Sequence, residues 1–338
     1  MLGDIYIESI IRFSSVAILQ SLRMTSSSTA PTTGEPSRSS TFWTGFALAT
    51  LGAVLFSAKA IVTKLTYNYG VDALTVIGFR MLFALPLFAL VAARQAWRAR
   101  QGQIAPLSRR DAFAVMGLGF IGYYLSSYFD FIGLQYITAG LERLILFLSP
   151  TFVLLISALY LKRRITGLQW LAMGLSYGGV SLAFIHDLSF AGSNVLLGSG
   201  FVLASAVTYA VYLISSGEIL KRIGSTRLVA YAMSSSAIYV LIHFLLVKGW
   251  HGLAQPTPVY WLSILHAVVH TVLPTFMIMW SVARIGAPLT SQLGLVGPVS
   301  ILFLAWWILG EPITALQLIG TGLVLAGMFV LGRLRPGK

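Results

Sequence analysis

Ten stretches of about 20 residues, almost free of charge, follow one another from Trp43 to the end of this chain. A helix rises 1.5 Å per residue, so about 20 residues cross the roughly 30 Å of a bilayer's hydrocarbon. The stretches lie at residues 43–65, 73–93, 111–135, 139–161, 168–186, 197–217, 228–247, 260–282, 287–309 and 315–333. They are continuous rather than alternating with period two, which excludes a transmembrane β-barrel. The fold class expected is an all-α polytopic membrane protein with ten transmembrane helices.

Composition narrows the function. Of 338 residues, 57% are apolar and 10% charged, against roughly 25% charged in a soluble domain. That excludes a soluble enzyme, a disordered chain and a nucleic-acid-binding module. The net charge of +13 sits in short basic clusters between apolar runs, the pattern of membrane loops rather than of a basic face. No nucleic acid is expected as a partner; the lipid bilayer is. With no cysteine, disulfides, thiolate metal sites and cysteine nucleophiles are all excluded.

Residues 1–42 form a separate N-terminal tail. Asp4 precedes an apolar stretch at 5–22, and Glu8 and Arg12 interrupt it, a poor fit to a signal peptide. Either this stretch is an interfacial helix, or it is untranslated and Met24 is the start. Residues 25–41 are a low-complexity tract expected to be disordered.

Lysines and arginines set the orientation. Arg94, Arg98, Arg100, Arg109 and Arg110 lie between spans two and three, and Lys162, Arg163 and Arg164 follow span four. Lys221, Arg222 and Arg227 follow span six, Arg284 follows span eight, and Arg333, Arg335 and Lys338 end the chain. The opposite connections carry little beyond Lys64 and Lys248. Every second connection and both termini are therefore expected in the cytoplasm, at the inner membrane. Nine or eleven spans would put the basic tail on the wrong side.

An offset of 148 residues aligns the chain with itself. Ile137, Ala139, Leu141, Pro150, Leu154 and Leu161 match Ile285, Ala287, Leu289, Pro298, Leu302 and Leu309. Ile165, Thr166, Leu168, Gln169, Gly174, Leu175 and Gly179 match Ile313, Thr314, Leu316, Gln317, Gly322, Leu323 and Gly327. Two repeats of five spans are expected, at 43–186 and 197–333. Five is odd, so the second is inverted relative to the first. Inverted repeats with prolines in corresponding spans point to a secondary transporter.

The residues carrying a family likeness are Ser57-Ala58-Lys59-Ala60-Ile61, Phe79-Arg80, and the run from Gly133 through Pro150 to Gly179. In the second half they are Leu309-Gly310-Glu311-Pro312 and Gln317-Leu318-Ile319-Gly320. Over about residues 45–335 the chain resembles the drug/metabolite transporter superfamily, EamA type. The resemblance implies a small-molecule substrate moved by exchange or an ion gradient, without ATP. The chain accordingly has no G-x-x-x-x-G-K-[ST] loop. One departure stands out: the family's Gly-Glu after span four is here Lys162-Arg163, leaving Glu311 alone to supply that acid.

Charge inside hydrocarbon costs at least about 2.5–3.5 kcal/mol per residue at mid-span. Lys59, Arg80, Asp130, Glu142 and Arg143, all in the first repeat, fall about 5–10 Å from the outer ends of spans one to four by helical rise. They form either a polar vestibule for a carboxylate-bearing substrate or an ion-pair clamp between helices. The pairs expected are Arg143 with Asp130, and Glu142 with Lys59 or Arg80. Lys59 and Arg80 are the leading candidates for substrate contact. Repeat two offers only Ser234, Ser235 and Ser236 near the Arg80-equivalent depth, so the positive pole belongs to repeat one. A zwitterion would turn its amine toward Asp130 or Glu142.

Tyr123, Tyr124, Ser126 and Ser127 of span three, with His270 and Thr271 of span eight, are candidates to wet a central cavity. His270 is a candidate proton site, or else a helix-to-helix hydrogen bonder. Tyr209 and Tyr212 either face that cavity or pack as aromatics. Pro150 and Pro298, about 16 Å deep, are hinge candidates that free carbonyls or kinks fixed for packing. Two motif matches are packing glycines: Gly117–Gly122 fits G-x-G-x-x-G and Gly174–Gly178 fits G-x-S-x-G, both inside spans and away from any strand.

The function expected is a secondary transporter, an exporter or exchanger of small polar metabolites, amino-acid-like or carboxylate-bearing, with a coupling ion or proton. No cofactor, metal or catalytic residue is expected. An integral-membrane enzyme and a non-transporting scaffold are the rival readings. The enzyme lacks any cluster of histidines and carboxylates at metal spacing.

Overall fold

A computed structural model describes residues 38–161, 165–190 and 194–333. The tail to residue 37, including Met24, lies outside the described residues, as do Lys162, Arg163, Arg164, Arg335 and Lys338. Described residues up to Trp43 belong to the first helix, where the rings of Phe42 and Trp43 meet edge to face at 5.6 Å. The packed bundle runs from Thr44 onward.

Among the described residues the structure is helical, because a backbone in hydrocarbon must satisfy its own N–H and C=O groups. Ten helices are long and apolar enough to cross a membrane. They are span one (Thr41–Tyr67), two (Ala73–Arg100), three (Arg109–Leu134), four (Ala139–Leu159) and five (Gly167–Leu188). The second half repeats them as span six (Val195–Ile223), seven (Ser225–Lys248), eight (Thr257–Ile285), nine (Leu289–Leu309) and ten (Ala315–Gly332). Short connections make successive spans antiparallel. The described basic clusters therefore share one end, the basic end, and Lys64, Asp72, Asp187 and Glu311 share the far end.

The packing obeys the repeat. Span two packs on seven, four on nine and five on ten, so each of these pairs maps onto itself when the halves are exchanged. Most of the remaining contacts between halves come in mates: three on six with eight on one, two on eight with seven on three, and four on six with nine on one. This is the pairing of a pseudo-two-fold axis.

Irregularities recur at the same offset. Span three holds a π-helical turn at Phe120–Leu125, and span eight holds one at Val268–Val272. Span four is interrupted between Ala139–Leu146 and Ser149–Leu161, and span nine between Ala287–Leu293 and Val296–Leu309. Pro150 and Pro298 begin the second halves, where a missing N–H costs little. The carbonyls they fail to bond find partners nearby: Leu146 O accepts from Ser149 Oγ at 2.7 Å, and Gly294 O from Gly297 N at 2.9 Å. The carbonyls expected to be free for a ligand are thus taken by the chain itself.

Of the glycines read as packing residues, Gly119 and Gly122 pack helices closely, whereas Gly117, Gly174 and Gly178 have open space beside them, with no atom within 4 Å of a Cβ. A Cβ at Gly119 would strike the Ala232 carbonyl of span seven, and one at Gly122 the Tyr212 ring of span six.

Candidate functional site

Span one is interrupted at Ala58, and Lys59 begins its second helix. That break, with the first turn of span four and the last turns of span three, brings three charged side chains together. Lys59 Nζ donates to Asp130 Oδ2 at 2.5 Å and lies 3.4 Å from Glu142 Oε1. Lys59 is 9% exposed, Asp130 2% and Glu142 0%. One ammonium thus serves two carboxylates in the far half of the bundle.

The guanidinium groups lie elsewhere. The pairing expected between Arg143 and Asp130 is not formed. Asp130 is taken by Lys59, and the Arg143 guanidinium carbon lies over Phe56 at 5.4 Å and Phe147 at 5.5 Å. Adjacent helix residues point about 100° apart, so Glu142 facing Lys59 turns Arg143 away. Arg143 instead rests against the interruption in span nine. A Cβ at Gly297 would meet Ser57 Oγ at 2.6 Å and Arg143 Nη2 at 3.3 Å, so only glycine admits this approach. Arg80 takes neither Glu142 nor Asp130 within ion-pair distance among the described residues; its guanidinium carbon stands 4.7 Å over Phe131. Lys59 Nζ is 5.9 Å from the same ring. Aromatic faces substitute for carboxylates around both arginines.

Hydrogen bonding here is incomplete. Glu142 Oε1 has the Lys59 ammonium at 3.4 Å but no hydrogen bond, and Arg80 Nε and Nη2, Asp130 Oδ1, Glu142 Oε2 and Arg143 Nε are buried without a hydrogen-bond partner. So are both ring nitrogens of His266, whose ring stacks on Phe131 at 5.5 Å and 10°. Buried polar atoms are nearly always bonded, and an unsatisfied one costs about 1–3 kcal/mol or more. Unsatisfied donors and acceptors from spans two, three, four and eight therefore stand beside aromatic rings, Arg80 and His266 against Phe131 and Arg143 against Phe56.

The other sequence candidates are spread out. His270, in the π-helical turn of span eight, donates from Nδ1 to the Leu55 carbonyl at 2.8 Å, since a carbonyl only accepts. It bridges helices beside the break in span one. Tyr123 meets Tyr212 with hydroxyls 3.1 Å apart, Tyr124 reaches His243 Nδ1 at 3.0 Å, and Ser126 reaches Ser205 Oγ at 3.0 Å. Ser127 is half-buried. A cavity of about 300 Å³ lies between spans three and six, lined by Gly117, Ile121, Val211 and Tyr212. It belongs to the basic half and includes neither His270 nor Ser127.

Sequence reasoning missed His266, Phe56, Phe131 and Tyr67, whose hydroxyl donates to the Phe131 carbonyl at 2.6 Å. The i, i+4 spacing of His266 and His270 was the available signal. At the far end, Thr138 caps span four through Leu141 N at 3.1 Å. Asp187 accepts from Thr138 N and Oγ1, each at 2.8 Å. Glu311 accepts from Ala139 N at 3.1–3.2 Å and pairs with Lys64 at 3.1 Å.

The uncharacterized transporter YcbK of Bacillus subtilis is 30% identical over 302 residues, 85% of this chain and 93% of that protein. The probable terminal-alkyne amino-acid exporter of Streptantibioticus cattleyicolor is 29% identical, covering 61% of this chain and 68% of that one. The S-adenosylmethionine/S-adenosylhomocysteine transporter of Chlamydia muridarum is 27% identical, covering 82% and 88%. A solved crystal structure matches the fold with a TM-score of 0.53 at 19% identity, over 87% of this chain and 98% of that one. The profile of the EamA-like transporter family matches residues 43–185 and 196–333. With ten apolar spans in two inverted halves, this multi-pass membrane protein belongs to the EamA-like transporter family.

Proposed function

We propose that this chain is an inner-membrane exporter or exchanger of small polar metabolites that carry an amino-acid-like head. It works by alternating access and performs no catalysis. The basic end faces the cytoplasm and the far end faces outward, following the distribution of Lys and Arg. The observation that carries the substrate class is the set of buried, unsatisfied groups of both signs. Arg80 and Arg143 offer donors to a carboxylate, and Asp130 and Glu142 offer acceptors to an amine. Lys59 holds the two acids in place. Two relatives' names support this reading, since an amino acid is exported by one and both molecules handled by the other contain one.

A site built to bond both groups discriminates strongly against a molecule lacking one, because its own polar atoms then stay unpaired. The test is counterflow in proteoliposomes of the purified full chain, comparing radiolabelled L-amino acids with their decarboxylated amines. Uptake of at least one amino acid, far exceeding that of its amine, is expected. Arg80→Met should raise its apparent Kd at least tenfold, about 1.4 kcal/mol, with an unchanged Tm. No counterflow with any amino acid, or full affinity in a well-folded Arg80→Met, would overturn the reading.

A further inference from the structure

The far end of span four is held by two carboxylates that do different jobs. Asp187 comes from span five of the same repeat and fixes Thr138. Glu311 comes from the end of span nine, in the other repeat. Its carboxylate takes the Ala139 N–H with both oxygens and the Lys64 ammonium at 3.1 Å. It is 7% exposed, so these are largely desolvated, charge-assisted contacts. One side chain thereby ties span nine to spans one and four above the charged cluster. Gln317 of span ten adds a contact in the same place, since a Cβ at Gly140 would strike its Nε2.

Exchange of the repeats predicts a twin of this tie at the opposite end. The offset of 148 carries Thr138 to Gly286, Ala139 to Ala287 and Glu311 to Arg163. Arg163 lies outside the described residues, and among the described residues the basic end is held by other contacts, Arg222 with Asp111 and Ser281 Oγ with the Gly45 carbonyl at 2.8 Å. Gly286 caps span nine at φ 81° with no side-chain hydrogen bond. A guanidinium has only donors, so Arg163 offers nothing to a helix N–H.

We propose that Glu311 is a latch on the outer gate, holding span nine to the Lys64 ammonium and the start of span four. The proposal rests on the alternating-access reading above. Opening outward requires Glu311 to release Lys64 and the span-four N-terminus together. A ligand or ion that favours the outward-open form must offset the loss of these contacts.

The chain has no cysteine, so a single introduced thiol reports access without background. Thr63, fully buried in the turn before Lys64, takes Thr63→Cys as the reporter, and exposed Tyr69 takes Tyr69→Cys as the control. Intact cells expressing the full chain are treated with a membrane-impermeant maleimide. Glu311→Gln, which keeps the shape and loses the charge, is expected to speed labelling at position 63 at least fivefold and leave position 69 unchanged. Lys64→Met should do the same to a lesser degree and serves if Glu311→Gln lowers the Tm. Equal labelling of position 63 in the parent and in either folded variant would overturn the latch. The readout needs no substrate, so a failed amino-acid assay leaves it intact. Amino-acid counterflow with unaltered labelling would sink the latch alone.

Discussion

The two repeats share a backbone plan but begin their helices differently. In the first, spans two, three and four start with a side-chain cap: Asp72 accepts from Thr75 N, Ser108 from Asp111 N, and Thr138 from Leu141 N. In the second, spans seven, eight and nine start at Gly224, Pro256 and Gly286, none with a side-chain cap bond. Gly224 and Gly286 adopt nearly the same backbone, φ 80° ψ 159° and φ 81° ψ 158°, a region costly for residues with a Cβ. Spans five and ten are the exception, since Thr166 with Gln169 and Thr314 with Gln317 meet alike at their starts. Charge is divided the same way: Lys59, Arg80, Asp130, Glu142 and Arg143 all belong to repeat one. An inverted repeat thus supplies a scaffold of two equivalent halves, while one half carries the fixed, charged helix starts and the other the glycine turns.

The largest effect should come from breaking the charged half. Lys59→Met leaves Asp130 and Glu142 buried without a cation, a loss of about 3–5 kcal/mol. Asp130→Asn should cost less, and the double variant less than the sum of the two. The comparison pair Asp130→Asn with Arg143→Gln should be additive, because those side chains do not meet. Melting of purified variants in detergent checks both cycles. Additivity at Lys59 and Asp130 would refute the shared-ammonium arrangement.

A middle-sized effect tests the helix starts. Thr138→Ala removes a cap and an Asp187 partner, and should cost about 1–2 kcal/mol. Gly224→Ala meets no atom within 4 Å, so its cost is backbone strain alone, about 1–3 kcal/mol. If the two halves tolerate the opposite change, Gly224→Ala stabilising and Thr138→Ala neutral, the contrast between capped and glycine starts fails.

The smallest effect concerns pH at the far end. Burial pushes the Asp72 carboxyl up, but hydrogen bonds from Lys248 and Thr75 outweigh it and hold the group below its ordinary value. A depressed pKa contributes stability that is present above the unfolded-state value, about 3.9, and lost as pH falls through the folded-state value. Asp72 is 45% exposed at its side chain, so solvent screening keeps the contribution below about 1 kcal/mol. Asp72→Asn keeps a capping side chain and should flatten the fall in Tm between about pH 5 and 3. Parallel Tm curves for parent and variant would remove the charge from the account. Gly224, the start of span seven, has no such group to titrate.

Length, hydrophobicity and the offset of 148 residues were sufficient for the ten spans and the two halves, because a bilayer demands about 20 apolar residues per crossing and leaves few other solutions. Helical rise also put Lys59, Asp130 and Glu142 at similar depth, and the fold brings them together. Depth along an axis says nothing of direction around it. Arg143, one residue from Glu142, turns instead to Phe56, Phe147 and the backbone at Gly297. Arg80 lies over Phe131, a ring no charge pattern marks. His266 joins the cluster only because span eight packs on spans one and two. Glu311 was legible as the one acid left at its motif position, but its partners, Lys64 and the Ala139 N–H, lie 172 or more residues away in sequence. Sequence determines which groups must be buried in this protein. Tertiary packing, which sets the rotation of each helix about its own axis, decides which of them find partners and which stay unsatisfied.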